Sequence, residues 1–270
     1  LMELNQEPSC EAILPHSVYN SEGEATIVLV HGAFQSRREW DMVISYFPEN
    51  YHLLIPDMPG HGESRFVKPF SVNKAASLIA RLITKCAIGG QAHVVGFSLG
   101  AHVAIEVASL YPERVKDVFV SGYELFNHSS FSQCIPYVLW IMLRCENMVP
   151  RSVIKWLMDG ADLERADTSI CTLSLCRAIV DAMTEAKWPS PWKSRTLIVA
   201  AGKGGLIPSN DHPGDAIKLL RIANSLTSST VAATHPLMRH PWNRQDPWLF
   251  AQTIQAWFEK RELPDGFQYL

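Results

Sequence analysis

The segment that most constrains the fold is the pentapeptide Gly96-Phe97-Ser98-Leu99-Gly100. An apolar, β-branched run typical of a buried strand precedes it, and a run typical of a helix begins at Ala101. Between a strand and a helix, a G-x-S-x-G pattern allows a turn so tight that the serine takes a strained backbone conformation. The sequence therefore predicts a nucleophile elbow, with the Ser98 hydroxyl beside the N-terminus of the following helix.

Composition excludes several kinds of partner. The 270 residues carry a formal net charge of −3, and the 47% hydrophobic and 19% charged residues are an ordinary globular balance. A basic pair, Arg37-Arg38, lies beside Glu39 and Asp41 and is better explained as a solvated helix face. Six scattered cysteines without a C-x-x-C pair favour reduced thiols over a disulfide framework or a zinc site. We expect no nucleic-acid partner and no metal.

The sequence shows neither a secretion signal nor a membrane span. Near the N-terminus no basic region is followed by an apolar run, so no secretion signal is expected. No apolar stretch approaches the ~20 residues of a membrane span, and the longest, at residues 137–143, ends at Arg144. The expectation is a cytoplasmic protein that is not bound to a membrane. The sequence does not predict an oligomeric state.

Strand-like and helix-like runs alternate along most of the chain. The predicted strands are 26–30, 53–55, 93–95, 118–120, 196–200 and 230–233, and the predicted helices are 37–47, 71–86, 101–108, 214–224 and 246–260. The strands read as continuous apolar runs, which is typical of strands buried on both faces. This alternation predicts an α/β fold with a mainly parallel central sheet flanked by helices.

The alternation stops between about residues 125 and 193, where helical patterns occur without a convincing strand. We interpret residues 1–122 and 195–270 as one α/β core and residues 123–194 as an inserted helical cap. Two helical hairpins packed on the back of the sheet are the alternative. This segment is rich in large flexible and aromatic side chains, namely Trp140, Met142, Met148, Trp156, Met158, Met183, Trp188 and Trp192. Together they favour a bulky, apolar small-molecule substrate.

A serine hydroxyl becomes a nucleophile when a histidine takes its proton, and a carboxylate must orient that histidine. Where an elbow supplies the serine, the acid and then the histidine follow along the chain. His235 and His240 both lie after the last predicted strand. His240 immediately precedes the final helix and is the preferred base, whereas His235 directly follows the strand and is expected only to end it.

A second candidate element is His31-Gly32-Ala33-Phe34, which ends the first buried strand. The glycine lets the backbone approach a reacting carbonyl, so the amides of Ala33 and Leu99 are predicted to bind an oxyanion. Phe34 is expected to line the acyl side of the pocket, and Phe97, next to the serine, to contact the substrate. His31 is interpreted as structural.

These pieces resemble the α/β-hydrolase superfamily, in particular the capped esterases, epoxide hydrolases and haloalkane dehalogenases. The resemblance rests on residues 28–32, 57–64 and 96–100, and residues 240–247 resemble fungal members. It covers the whole predicted core but not residues 123–194. It implies an α/β-hydrolase fold and a cofactor-independent mechanism. Ser98 stands where dehalogenases and epoxide hydrolases carry an aspartate, which excludes those two chemistries.

The acid is where the chain departs from the family pattern. Members usually carry it after the strand that corresponds to residues 196–200, but there this chain reads Gly202-Lys203-Gly204-Gly205. Some members carry it after the preceding strand, where Glu124 stands, and neighbouring strand ends converge at one edge of the sheet. Glu124 is therefore the preferred acid and Asp211 the alternative. Asp215, or no acid at all, stays open.

The resulting prediction is a serine hydrolase that cleaves an ester or related acyl bond through Ser98, His240 and a carboxylate. Two alternatives remain. The same serine and histidine could serve a lyase or a C–C bond-cleaving or cyclising enzyme of secondary metabolism. The missing acid in the usual place also leaves room for a ligand receptor built on a hydrolase fold.

Overall fold

A computed structural model describes residues 13–125, 132–146, 148–184, 188–204, 210–226 and 229–270. The N-terminal residues on which the secretion-signal expectation rests, including Cys10, lie outside the described part of the chain. Within the described residues no helix is long and apolar enough to span a bilayer.

The centre of the molecule is an eight-stranded sheet. The strands are β1 (His16–Tyr19), β2 (Ala25–Val30), β3 (Tyr51–Pro56), β4 (Ala92–Phe97), β5 (Val115–Ser121), β6 (Arg195–Ala201), β7 (Val231–His235) and β8 (Gln268–Tyr269). Their order across the sheet is β1-β3-β2-β4-β5-β6-β7-β8. The six inner strands are parallel, and β1 and β8 pair antiparallel at the two edges. The predicted α/β fold with a mainly parallel sheet is confirmed.

Helices cover both faces of this sheet. They are α1 (Asp41–Ile44), α2 (Val72–Cys86), α3 (Leu99–Leu110), α4 (Ile135–Glu146), α5 (Arg151–Leu157), α6 (Leu173–Thr184), α7 (Pro213–Asn224), α8 (Trp242–Gln245) and α9 (Pro247–Phe258). The predicted start of α2 is confirmed, because the Ser71 side chain accepts a hydrogen bond from the Lys74 amide at 3.2 Å.

The core forms two layers, one on each face of the sheet. In β2, Val28 and Val30 belong to the layer that α2, α3 and α7 cover, whereas Ile27 and Leu29 belong to the layer that α1 and α9 cover. All four side chains are fully buried. The period-2 alternation of a strand explains why one continuous apolar run serves both layers.

Some elements differ from the sequence prediction. The edge strands β1 and β8 were not predicted, because a short, half-exposed antiparallel edge has no continuous apolar run. The predicted helix 37–47 is a 3₁₀ turn at Arg37–Trp40 followed by the short α1. Within this segment, Trp40 and Val43 are fully buried in the core layer that α1 and α9 cover.

Between β5 and β6 the described residues form α4, α5 and α6 and no strand. Helix α6 adds Leu175, Ile179 and Met183 to the core layer of α2 and α3. The large side chains of this segment differ in solvent exposure. Trp192 is buried, whereas Met148 and Trp156 are 84% and 76% exposed and contribute little to any pocket.

Candidate active site

Ser98 occupies the sharp turn between β4 and α3. Its backbone has φ 53° and ψ −119°, which lies outside the regions that a non-glycine residue prefers. The Ser98 amide donates to the Ser121 carbonyl at 2.8 Å, and the Ser98 carbonyl accepts from the Ala101 amide at 2.8 Å. These bonds hold the strained residue between the ends of two strands and the first turn of a helix.

The two glycines of the pentapeptide allow this turn to pack closely. A Cβ atom on Gly96 would lie 2.3 Å from the Gly100 carbonyl oxygen. On Gly100 it would lie 2.2 Å from the Val30 carbonyl oxygen, so no larger residue fits between α3 and β2. The turn therefore requires glycine two residues before and two residues after Ser98.

His240 lies near Ser98 and is oriented by Asp211. Its Nδ1 atom is 2.5 Å from Asp211 Oδ1. An ionised carboxylate only accepts hydrogen bonds, so Nδ1 donates and Nε2 carries the free lone pair of a base. The His240 side chain remains 29% exposed, whereas that of Asp211 is 2% exposed.

Asp211 is fixed by the end of β6. Its Oδ2 atom accepts from the Ala201 amide at 2.7 Å, and its own amide donates to the Ala201 carbonyl at 2.8 Å. This two-way pairing closes a long loop and returns the carboxylate to the strand end. One carboxylate oxygen is thus held by the backbone and the other holds His240.

The preferred acid of the sequence analysis, Glu124, does not hold the histidine. Its Oε1 atom accepts from the His212 amide at 2.8 Å, beside Asp211. Asp215 accepts from the Leu125 amide at 3.2 Å and also lies apart from His240. The alternative acid Asp211 makes the contact instead. The sequence could offer Asp211 only as the alternative, because Asp211 lies ten positions after Ala201 and no local pattern marks the backbone pairing that brings it back.

The surroundings of His240 favour its protonated form. Burial alone disfavours the imidazolium, but the hydrogen bond and charge of Asp211, together with the charges of Glu124 and Glu39, outweigh it and raise the pKa of His240. The base at this site therefore holds a proton more tightly than an ordinary histidine.

The other candidate histidines make structural contacts. His235 ends β7, packs edge-on against Phe267 with ring centroids 4.9 Å apart, and accepts from the Leu237 amide at 3.3 Å. His31 accepts from the Met58 amide at 3.0 Å through Nε2, so its Nδ1 donates to the Gly32 carbonyl at 2.8 Å. Burial lowers the pKa of His31 to about 4, which keeps it neutral.

The two predicted oxyanion donors stand at neighbouring strand ends. Ala33 follows β2, and Leu99 is the first residue of α3, where an amide has no partner within the helix. In the described part of the chain neither amide donates a hydrogen bond to another protein group. Both amides remain available to a negatively charged oxygen.

A cavity of about 410 Å³ opens above Ser98. Its lining residues among those described are Gly32, Ala33, Gln35, Glu39, Phe97, Ser98, Gly122, Glu124, Glu146, Met158, Leu163, Glu164, Met183, Asn210, His240 and Pro241. Phe97 is among them, and its ring centroid lies 5.0 Å from that of His240. Phe34 is not, because its backbone turns with φ 62° and its side chain lines an adjacent cavity with Arg37 and Arg38. The expectation that Phe34 lines the acyl pocket is therefore corrected.

Within the described ranges, no group of three or more histidine, cysteine or carboxylate side chains could hold a metal ion.

The sequence from residue 27 to residue 267 matches the alpha/beta hydrolase family. The match spans strands β3 to β7, most of β2, the elbow and His240. The chain belongs to this family.

Relatives of this alpha/beta hydrolase include proteins from fungi and bacteria. An AB hydrolase superfamily protein from Gibberella zeae is 33% identical over 262 residues, covering 96% of this chain and 89% of that protein. A pimeloyl-[acyl-carrier protein] methyl ester esterase from Neisseria meningitidis serogroup B is 33% identical over 96 residues. That second match covers 36% of this chain and 35% of the esterase.

Solved structures of similar shape include two esterase-type proteins. A thermophilic esterase from Thermogutta terrifontis superposes with a TM-score of 0.70 at 18% identity, covering 92% of this chain and 93% of that chain. A lipase-esterase related protein from Clostridium acetobutylicum has a TM-score of 0.66 at 15% identity, covering 91% of this chain and all of that chain. At these identities the likeness shows the fold alone.

Two residues of this alpha/beta hydrolase site were missed in the sequence. Gly122 has φ +72°, and a Cβ atom there would lie 2.5 Å from Cε1 of His240, so the glycine makes room for the histidine ring. Its place after a predicted strand was the available signal. Glu39 lines the cavity from a turn that the sequence analysis interpreted as a solvated helix face, and no local pattern marks it as buried.

Proposed function

We propose that this alpha/beta hydrolase is a serine esterase with Ser98 as nucleophile, His240 as base and Asp211 as the acid. The observation that carries the proposal is the 2.5 Å contact between His240 Nδ1 and Asp211 Oδ1 at the cavity that Ser98 lines. A histidine with its Nδ1 proton held by a buried carboxylate presents Nε2 as a base. With Asp211 as the proposed acid, the absence of an acid in the usual place no longer favours a receptor.

The proposed reaction has two halves. His240 Nε2 takes the proton of the Ser98 hydroxyl as Oγ attacks the ester carbon, and the carbonyl oxygen becomes an oxyanion bound by the Ala33 and Leu99 amides. His240 then returns the proton to the leaving alcohol, and an acyl-Ser98 ester remains. Water attacks that ester by the same steps, which releases the acid and restores Ser98.

Esters, rather than other acyl compounds, are favoured by the names of the relatives. The Neisseria relative is described as a methyl ester esterase and the Thermogutta neighbour as an esterase. Both descriptions belong to those proteins. Applied to this chain, they support hydrolysis of an oxygen ester as the first activity to measure.

The lining of the cavity supports an uncharged substrate with an apolar acyl group. Phe97, Met158, Leu163 and Met183 supply apolar surface, three of them from the segment that we proposed as a cap. Because Glu146, Met158, Leu163 and Met183 lie over Ser98, we retain residues 123–194 as a cap that determines the substrate. Helical hairpins on the back of the sheet would not bring these side chains to Ser98.

The test is hydrolysis of p-nitrophenyl butyrate by the full chain and by three variants. Ser98→Ala and Asp211→Asn are expected to lower kcat by at least about a thousandfold, by analogy with the loss of a triad member. Glu124→Gln is the matched control, because Glu124 contacts the neighbouring His212 amide and not His240. It is expected to retain activity within about tenfold. A collapse in Glu124→Gln with normal turnover in Asp211→Asn would reverse the assignment of the acid.

A further inference from the structure

Glu39 is a buried carboxylate that the proposed reaction does not use. It lies in the 3₁₀ turn Arg37–Trp40 and is only 5% exposed. Its Oε2 atom accepts from the Gly32 amide at 2.7 Å, and its Oε1 atom accepts from Asn243 Nδ2 at 3.3 Å. Two donors from distant parts of the chain therefore meet on one carboxylate.

The two donors belong to the two halves of the site. Gly32 immediately precedes Ala33, whose amide is a proposed oxyanion donor. Asn243 lies in α8, three residues after His240. Glu39 thus connects the loop that carries the oxyanion donor to the segment that carries the base.

The Gly32 contact leaves little freedom. A Cβ atom on Gly32 would lie 3.4 Å from Glu39 Oε2 and 3.3 Å from Cδ1 of Phe97. The peptide is therefore confined between the carboxylate and an aromatic ring. Glu39 holds the N–H of the His31–Gly32 peptide, so a displacement of Glu39 would shift that peptide and, through the Gly32 Cα, the next peptide, which carries the Ala33 amide.

Burial of a carboxylate is unfavourable, because transfer of a charge out of water destabilises the folded state unless the charge is paired or hydrogen-bonded. Burial raises the pKa of Glu39, while the bonds from Gly32 and Asn243 and the charges of Arg244 and His240 oppose that rise. Both of its hydrogen-bond partners are N–H donors, which match the ionised form. The charge also acts on the base, because Glu39 is one of three carboxylates, with Asp211 and Glu124, that favour the protonated form of His240.

We propose that Glu39 is a positioning residue with two effects. It fixes the segment that carries the Ala33 amide relative to the segment that carries His240, and its charge stabilises the imidazolium formed on His240 during turnover. This proposal rests on the proposed function. Glu39 does not take up or release the transferred proton. It acts on the Ala33 amide through its hydrogen bond to the Gly32 N–H, and on His240 through its negative charge.

The decisive variant is Glu39→Gln, which keeps the shape and removes the charge and one acceptor. The expected result is a tenfold to hundredfold fall in kcat with KM changed less than about threefold, because transition-state contacts are lost and ground-state binding is not. The low-pH limb of kcat/KM is expected to move to lower pH, because His240 loses one of its three neighbouring negative charges. Glu49→Gln, at an exposed position, is the control and keeps the wild-type profile.

A rescue separates positioning from folding. In Glu39→Gln with Asn243→Asp, the glutamine carbonyl still accepts from Gly32, and its NH₂ group donates to the new carboxylate. The double variant therefore restores complementary hydrogen bonding and one negative charge. Its kcat is expected to recover by at least about fivefold over Glu39→Gln alone. A general structural role predicts instead that the second buried change lowers activity further.

Several results would overturn the proposal. One is a Glu39→Gln enzyme with wild-type kcat and pH profile, and another is a double variant with no recovery. If Glu39→Gln does not fold, Glu39→Asp keeps the charge but shortens the reach, so kcat must fall while the low-pH limb stays in place. An unchanged kcat in that variant also overturns the proposal. A wild-type enzyme that hydrolyses no ester would instead contradict the proposed function itself.

Discussion

At the scale of single residues, the proposed reaction depends on the pair Asp211 and His240. Asp211 is buried, and the Ala201 amide of β6 holds its Oδ2 atom. Its Oδ1 atom is therefore kept against Nδ1 of the His240 ring and does not turn toward solvent. A second residue, Gly122, leaves the ring its space. The two requirements are different in kind, one electrostatic and one steric, and each can be tested separately.

The electrostatic requirement predicts the pH dependence. A base must be neutral to accept a proton, and the raised pKa of His240 means that neutralisation is complete only above the ordinary histidine range. Activity is therefore lost as pH falls, with a midpoint above about 6.5. Asp211→Asn removes the largest favourable charge, so the residual activity is expected to shift its midpoint to lower pH. The measurement is kcat/KM from pH 5 to 9, and a midpoint that rises in the variant would contradict the account.

The steric requirement predicts the effect of Gly122→Ala. Its Cβ atom would meet the His240 ring at 2.5 Å, so the ring must move away from Ser98. We expect kcat/KM to fall by about a hundredfold. Gly89→Ala is the matched control, since Gly89 also has a positive φ of 66° but no atom within 4 Å of the added Cβ. Its backbone strain costs about 1 kcal/mol of stability without affecting turnover. Equal activity losses in both variants would show that strain, not the ring contact, is responsible.

At the scale of elements, the ends of five parallel strands bring the site together. Strand β2 ends before the proposed oxyanion donor Ala33, β4 before Ser98, β5 before Gly122, β6 at Ala201, which pairs with Asp211, and β7 before His240. Ligand sites of open α/β sheets lie at this carboxyl edge, so the arrangement follows from the topology.

Close packing of α3 on β2 fixes the elbow, and Gly100→Ala tests it. A glycine-to-alanine change inside a helix normally stabilises by about 0.5–1 kcal/mol. Here the Cβ atom would lie 2.2 Å from the Val30 carbonyl oxygen, a backbone atom that cannot yield alone. We expect the free energy of unfolding to fall by about 3 kcal/mol in urea denaturation. Gly214→Ala in α7 is the control, because its Cβ would meet only the exposed, movable His212 ring. A stabilised Gly100→Ala protein would show that the packing is looser than described.

The elements explain how far the sequence could predict the site. The elbow, Ala33 and His240 could be named as candidates because short local patterns mark strand ends and the turn. Asp211 could only be an alternative, because its position depends on a long loop closed by backbone pairing with Ala201. Glu39 was not recognised as a site residue, because its contact with Asn243 joins positions about two hundred residues apart and no local pattern marks that contact.

At the scale of the whole molecule, the cavity above Ser98 has a negative field. Four glutamates line it, namely Glu39, Glu124, Glu146 and Glu164, and no lysine or arginine does so among the described residues. Burial raises the pKa of each of these carboxyls, which opposes their ionisation, and Arg244 lies 3.5 Å from Glu164 and offsets part of its charge. The negative charge at the cavity comes from the carboxyls that are ionised. Negatively charged substrates should therefore enter poorly.

This field predicts selectivity by charge. Neutral p-nitrophenyl butyrate is expected to have a kcat/KM at least about tenfold above that of mono-p-nitrophenyl succinate, because repulsion by nearby carboxylates amounts to about 1–2 kcal/mol. The preference should shrink at 1 M salt, which screens charges beyond about 3 Å. A succinate ester hydrolysed as fast as the butyrate at low salt would contradict the prediction.

The central claim is that Ser98 is the nucleophile, activated by His240 on Asp211. It is tested most directly by intact-protein and peptide mass spectrometry after reaction with a fluorophosphonate. The account predicts a single phosphonyl adduct on Ser98 in the wild-type chain, none in Ser98→Ala, and labelling slowed by at least about a hundredfold in Asp211→Asn. An unlabelled Ser98 in the folded wild-type protein, or an equal labelling rate in Asp211→Asn, would contradict it.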